Sequence, residues 1–106
     1  MGVHRFDRID AATNVWSRFR GLMGRRDLSA VRLWFPRCAS IHTCFMRSAI
    51  DVVFLDGEQR VVALHPKVGP WRFIGAQTAE STLELPPGGI EALSIRVGDR
   101  LEWPCD

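Results

Sequence analysis

With 106 residues, 46% of them apolar and 25% charged, the chain can build one hydrophobic core but not two, and it reads as a single domain spanning 1–106. No apolar run approaches the roughly 18–20 residues of a membrane span, and residues 1–16 lack the continuous apolar stretch of a secretory signal, so the expected setting is cytoplasmic. The net charge of +2 is uneven: residues 1–37 hold eight Arg against three Asp, whereas 38–106 hold five Arg and one Lys against nine acids.

Taken in chain order, residues 3–9 read as an edge strand leading into a helix. From Thr13 onward, Val15, Trp16, Phe19, Leu22 and Met23 recur at spacings of three and four, the stripe of an amphipathic helix. Thr13 suits its N-cap and Gly24 its stop, and Leu22 and Met23 belong to the core. Strands follow. The run 31–35 is apolar and Pro36 ends it; 40–46 and 50–55 come next. The second of these is nearly continuous in apolar residues, as a strand buried on both faces would be. Asp56-Gly57 is a turn signal, with 60–64 as the return strand of a hairpin. Pro66 and Pro70 bracket a loop carrying Lys67 and Trp71. A strand over 81–85 ends at the Pro86-Pro87-Gly88-Gly89 turn, a short helix fits 90–95, and 100–103 is a last strand. The expectation is an α+β domain, mainly β, with a small, mostly antiparallel sheet curled toward a barrel. One N-terminal amphipathic helix and a short C-terminal one complete it.

Five motifs occur in order: RGLMGR (20–25), IHTCFM (41–46), IDVVFLD (50–56), LELPPG (83–88) and VGD (97–99). Together they make the chain resemble the prokaryotic family catalogued as domain of unknown function 192. The resemblance covers about 11–103. It implies a mainly β domain with a short helix and no established activity.

The segment 41–56 places polar residues inside strands, where they cost free energy unless partnered. In an extended strand His42, Cys44 and Met46 share one face, with Thr43 and Phe45 on the other. A turn over 47–49 could bring Asp51 beside this strand. His42 near Asp51 would give an imidazole oriented by a carboxylate. Glu84 is a second candidate carboxylate, and Arg20 or Arg47 would supply positive charge. The expected site is therefore Arg20, His42, Thr43, Met46, Arg47, Asp51 and Glu84. It would serve a binding or accessory module for a small or anionic molecule, or for a partner protein that exposed Trp34 or Trp71 would contact. The alternative is a small hydrolase with His42 as acid or base and Asp51 as its orienter. A plainer reading has His42 and Asp51 capping turns and satisfying buried backbone groups.

Cys38, His42, Cys44 and Cys105 have zinc-compatible chemistry, but their spacing fits no standard zinc motif, so no metal or cofactor is expected. An odd cysteine count suits a reducing compartment rather than a disulfide framework. No phosphate loop, dinucleotide fingerprint or serine elbow is present. A sequence pI near 8.7 and the acidic later two-thirds make nucleic acid an unlikely partner on composition.

Overall fold

The computed structural model describes residues 2–11, 32–43 and 48–104. The helix expected over 13–24 lies outside them, as do Arg20, Cys44, Met46, Arg47 and Cys105. The described strands are β1 (Val3–Arg5), β2 (Asp10–Ala11), β3 (Leu33–Pro36), β4 (Ser40–His42), β5 (Ile50–Leu55), β6 (Val61–Val68), β7 (Phe73–Gly75), β8 (Ser81–Leu85) and β9 (Arg100–Glu102). A four-residue helix, α1 (Gly89–Ala92), follows β8.

The strands form three sheets: a five-stranded one in the order β2-β3-β8-β5-β6, and two small ones, β1-β9 and β4-β7. Most pairings are antiparallel, but β1-β9 and β2-β3 are parallel. Among the described residues no closed barrel forms, which corrects the expectation of a sheet curled toward one. Parallel pairing needs a long crossover rather than a tight turn. Here the first strand reaches the last across nearly the whole chain, which no local pattern announces.

All six residues of β5 are buried, and so are all five of β8. The apolar run over 50–55 anticipates this for β5, because a central strand has no solvent-facing side. Residues paired across an antiparallel ladder share a face. Leu33, Glu84 and Val52 lie abreast, as do Phe35, Thr82 and Phe54, so these six mark one face of the large sheet. Their apolar members form one core cluster with Ile50, and Ile41 and Ile74 of the β4-β7 sheet pack against it. The opposite face carries Val53, Leu55, Leu83 and Leu85, covered by Phe6, Ile90, Ile95 and Leu101. Trp34 sits on this second face, half-buried and edge-on to Trp103 with ring centroids 5.4 Å apart. It is therefore core rather than the exposed interface residue expected.

The hairpin over 50–64 forms at Asp56-Gly57. Asp56 Oδ1 accepts the N–H groups of Glu58 at 2.8 Å and Arg60 at 3.0 Å. Its return strand runs further than expected, to Val68, because β6 is an edge strand with extra residues bulged out of its ladder. One bulge falls between the Ile50↔Val68 and Val52↔His65 pairs, where Pro66 needs no ladder donor and Lys67 takes a positive φ of 51°. Pro66 and Lys67 thus lie inside a strand, not in the loop their proline suggested.

Candidate functional site

The structure separates the residues expected to converge. Asp51 pairs with Leu85 whereas Glu84 pairs with Val52, so the two carboxyl groups stand on opposite faces of the large sheet. His42 lies in a different sheet, exposed, with its ring 5.9 Å from that of Phe73. The neighbouring Ile41 turns inward to the core, so strand alternation points His42 outward. No His42–Asp51–Glu84 cluster exists, because the sequence argument fixed parity along each strand but not the register between strands.

Asp51 fills the plainer role in full. Its side chain is completely buried. Oδ1 accepts the Lys67 N–H at 2.8 Å and the Gly88 N–H at 3.1 Å, and Oδ2 accepts the Ile90 N–H at 2.8 Å. One carboxylate thus closes the β6 bulge, the proline-glycine turn and the start of α1. Gly88, at φ 88°, supplies the left-handed residue that turns the chain into α1.

Glu84 is the opposite case. It is 4% exposed, and its Oε2 has no hydrogen-bond partner among the described residues. Burial among apolar neighbours pushes its carboxyl up to about 8. Glu84 is thus mostly a neutral acid at neutral pH, able to donate one hydrogen bond from within the core cluster around Val52 and Phe54.

Thr43 is fully buried beside exposed residues. Its hydroxyl donates to Gly69 O at 2.6 Å and accepts the Arg72 N–H at 2.9 Å. Its backbone N–H donates to Arg72 O at 2.9 Å, and its carbonyl accepts the Trp71 N–H at 3.1 Å. Four hydrogen bonds from one residue fix the loop 69–72. That loop holds Trp71 at a positive φ of 62°, a strained conformation for an aromatic residue, with 61% of its surface exposed. Phe73, two residues on, is 78% exposed. Sequence reasoning named Thr43 and Trp71 but missed β7 and Phe73. The short apolar pair Phe73-Ile74 looks like core, and only the pairing with β4 sends Phe73 outward.

A His–carboxylate pair does exist, at His4 and Asp99. Asp99 accepts the Gly2 N–H at 2.8 Å, His4 Nε2 at 2.8 Å and the Arg96 N–H at 2.9 Å. The Gly2 amide, then His4 and Arg96, hold its carboxyl well below the usual carboxylate range. The pair ties β1 to the turn before β9. The VGD motif was its one sequence signal.

A groove of about 790 Å³ lies between Arg8, Arg32 and the 85–89 turn. The backbone donors of that turn are engaged already: Gly88 and Ile90 with Asp51, and Gly89 with Pro86 O at 2.9 Å. Arg8 faces Asp10 at 3.5 Å, and Arg32 lies over the Phe6 ring. Among the described residues that line this groove, none belongs to the expected site. Among the described residues no three His, Cys, Asp or Glu side chains gather as a metal site. Cys38 Sγ donates to Ser40 O at 2.9 Å.

The fold and motifs define a mainly β domain. The model of domain of unknown function 192, described as "Uncharacterized ACR", matches residues 2–103, and the chain belongs to this family. It is 45% identical over 97 residues to a UPF0127 protein of Pyrococcus furiosus, covering 87% of this chain and 83% of that protein. It is 35% identical to a UPF0127 protein of Thermococcus sibiricus, covering 93% of this chain and 68% of the relative. A crystal structure of a protein of unknown function from Novosphingobium aromaticivorans superposes with a TM-score of 0.75 at 24% identity, covering 92% of this chain and 75% of that one. A second, of a putative transcription regulator from Sinorhizobium meliloti, gives 0.74 at 22% identity, covering 87% and 78%. At these identities the two structures show a shared fold alone. Among the described residues no helix is long and apolar enough to cross a membrane.

Proposed function

We propose that the chain is a binding module that works through the outward face of β4 and β7 and the loop 69–72, with no covalent step. One observation carries this reading: Thr43, fully buried, makes four hydrogen bonds to a loop that displays Trp71, while Phe73, two residues further on, stands 78% exposed. Exposing two large rings forgoes roughly 1.5–3 kcal/mol of burial for a Phe-sized side chain, and rings held this way are characteristic of contact surfaces. Of the expected site, His42 lies on this face and buried Thr43 braces the loop beside it. The hydrolytic alternative loses its support, because Asp51 orients three backbone N–H groups instead of His42.

The test is a binding panel of an oligonucleotide, an anionic phospholipid vesicle and a neutral oligosaccharide, run on the wild type, Trp71→Ala and Phe73→Ala. At least one probe should bind, and tenfold or more weakly to both variants, whose melting temperatures stay near that of the wild type. Equal behaviour of all three proteins across the panel would remove the reading.

A further inference from the structure

We propose that the groove between Arg8, Arg32 and the 85–89 turn binds a medium-chain aliphatic monocarboxylate, with its carboxylate on Arg32 and its hydrocarbon along Pro86, Pro87 and Leu93. This site is separate from the β4-β7 face and stands or falls apart from it. Its volume of about 790 Å³ is in the range of roughly 300–1,000 Å³ usual for small-molecule sites. One wall offers carbon: Pro86, Pro87, Ala92 and Leu93, of which Leu93 is 40% exposed. That wall is already fixed. The buried Asp51 carboxylate accepts the N–H groups of Gly88 and Ile90, so little ordering remains to be done on binding.

The other wall carries the charge. Among the described residues lining the groove, the charged ones are Arg8, Arg32 and Asp10, an excess of one positive charge that suits a monoanion. The two arginines are not equivalent. Arg8 faces Asp10 at 3.5 Å, so its charge is answered within the protein. Arg32 pairs with no carboxylate among the described residues, and its guanidinium lies over the buried Phe6 ring with Cζ 5.4 Å from the centroid. A ring steadies the cation and leaves its planar fork of N–H donors to a carboxylate, which two parallel hydrogen bonds can hold. A phosphate is served less well. It gains from several donors at once, but the turn's own are spent, Gly88 on Asp51 and Gly89 on Pro86 O. An exposed guanidinium alone contributes little in water, so the chain must supply the affinity, at about fourfold per buried methylene.

The experiment is titration calorimetry at neutral pH with octanoate, butanoate, 1-octanol and octyl phosphate. Octanoate should bind about tenfold or more tightly than each of the other three, which lack the chain, the charge or the carboxylate geometry. Arg32→Gln should weaken octanoate about tenfold and bring it to the level of 1-octanol, and Leu93→Ser should weaken it by a similar factor. Both positions are exposed, so these variants should melt near the wild type. Arg100→Gln on β9, outside the groove, should bind octanoate as the wild type does. Absence of octanoate binding overturns the inference. So does octanol binding as tightly as octanoate, which would mean that no carboxylate is recognised. Equal or tighter binding of octyl phosphate removes the carboxylate assignment. Octanoate binding that neither Arg32→Gln nor Leu93→Ser weakens would lie elsewhere on the protein, and the groove would lose its ligand.

Discussion

Asp51 and Thr43 are both completely buried polar side chains, and both give their oxygens to backbone N–H groups, yet they hold very different things. Asp51, in the middle of the five-stranded sheet, joins a bulge, a turn and a helix start that are themselves part of the core's wall. Thr43, beside the two-stranded sheet, braces a loop whose neighbouring side chains face water. The first arrangement stabilises the fold and nothing else needs explaining. The second fixes a surface, the one on which the proposed binding reading rests. Buried polarity alone does not mark a site; what it holds in place does.

The contrast breaks first at Asp51. Asp51→Ala leaves three backbone N–H groups without acceptors in a buried setting and should destabilise the fold by roughly 3–5 kcal/mol in chemical denaturation. A loss below about 1 kcal/mol would mean that water replaces the carboxylate easily and that Asp51 is not the junction described. Glu84 gives the next effect, with a definite sign. Its carboxyl titrates at about 8 in the folded protein against 4.5 when unperturbed. Between those values the unfolded chain releases a proton that the folded one keeps, so stability falls as pH rises from about 4.5 to about 8 and levels off above. Glu84→Gln cannot ionise, so it should lack the loss of a few kcal/mol that the wild type shows across that window. Identical pH profiles for the two proteins would show that Glu84 is solvated or paired.

Thr43→Val removes both side-chain hydrogen bonds while keeping the volume. It should cost roughly 1–3 kcal/mol and alter the emission of Trp71, which the same substitution could not do if the loop were held by other contacts. Asp99 sharpens the comparison from the acid side. Its folded carboxyl lies below its usual 3.8, so its contribution is complete above that value and is lost progressively as pH falls below it toward the lower folded value. Asp99→Asn should therefore be less sensitive to acid than the wild type in a melting series from neutral pH downward. The smallest effects belong to the exposed face: Trp71→Ala and Phe73→Ala should change stability by no more than about 0.5 kcal/mol.

Much of the large sheet was legible because its signals are local. The unbroken apolar run of β5, the Asp56-Gly57 turn and the strand before Pro86-Pro87-Gly88 each carry their own physical cause. The expected site was not, because it depended on register. Asp51 and Glu84 are both in strands read correctly, but whether they share a face is decided by the pairing of Asp51 with Leu85, a choice no single strand encodes. His42 was assigned to a strand running to 46, whereas the described strand ends at His42 and belongs to another sheet. Pro66 looked like a loop and lies in a strand because an edge position and a bulge remove the need for its N–H. The parallel β1-β9 pair joins positions 97 residues apart and the His4–Asp99 contact positions 95 apart, beyond any periodicity. Trp34 and Trp71 read alike as exposed aromatics, and only the packing of Trp34 against Trp103 separates them.

The central claim is that the chain meets its partner on the β4-β7 face rather than at the buried carboxylates. Amide chemical-shift mapping during titration with whichever probe of the binding panel the wild type binds tests it most directly. The account predicts shifts gathered at 40–43 and 69–75, with Val52, Val53 and the 85–90 turn unmoved. Shifts centred on the strands around Asp51 and Glu84, with Trp71 and Phe73 silent, would contradict it.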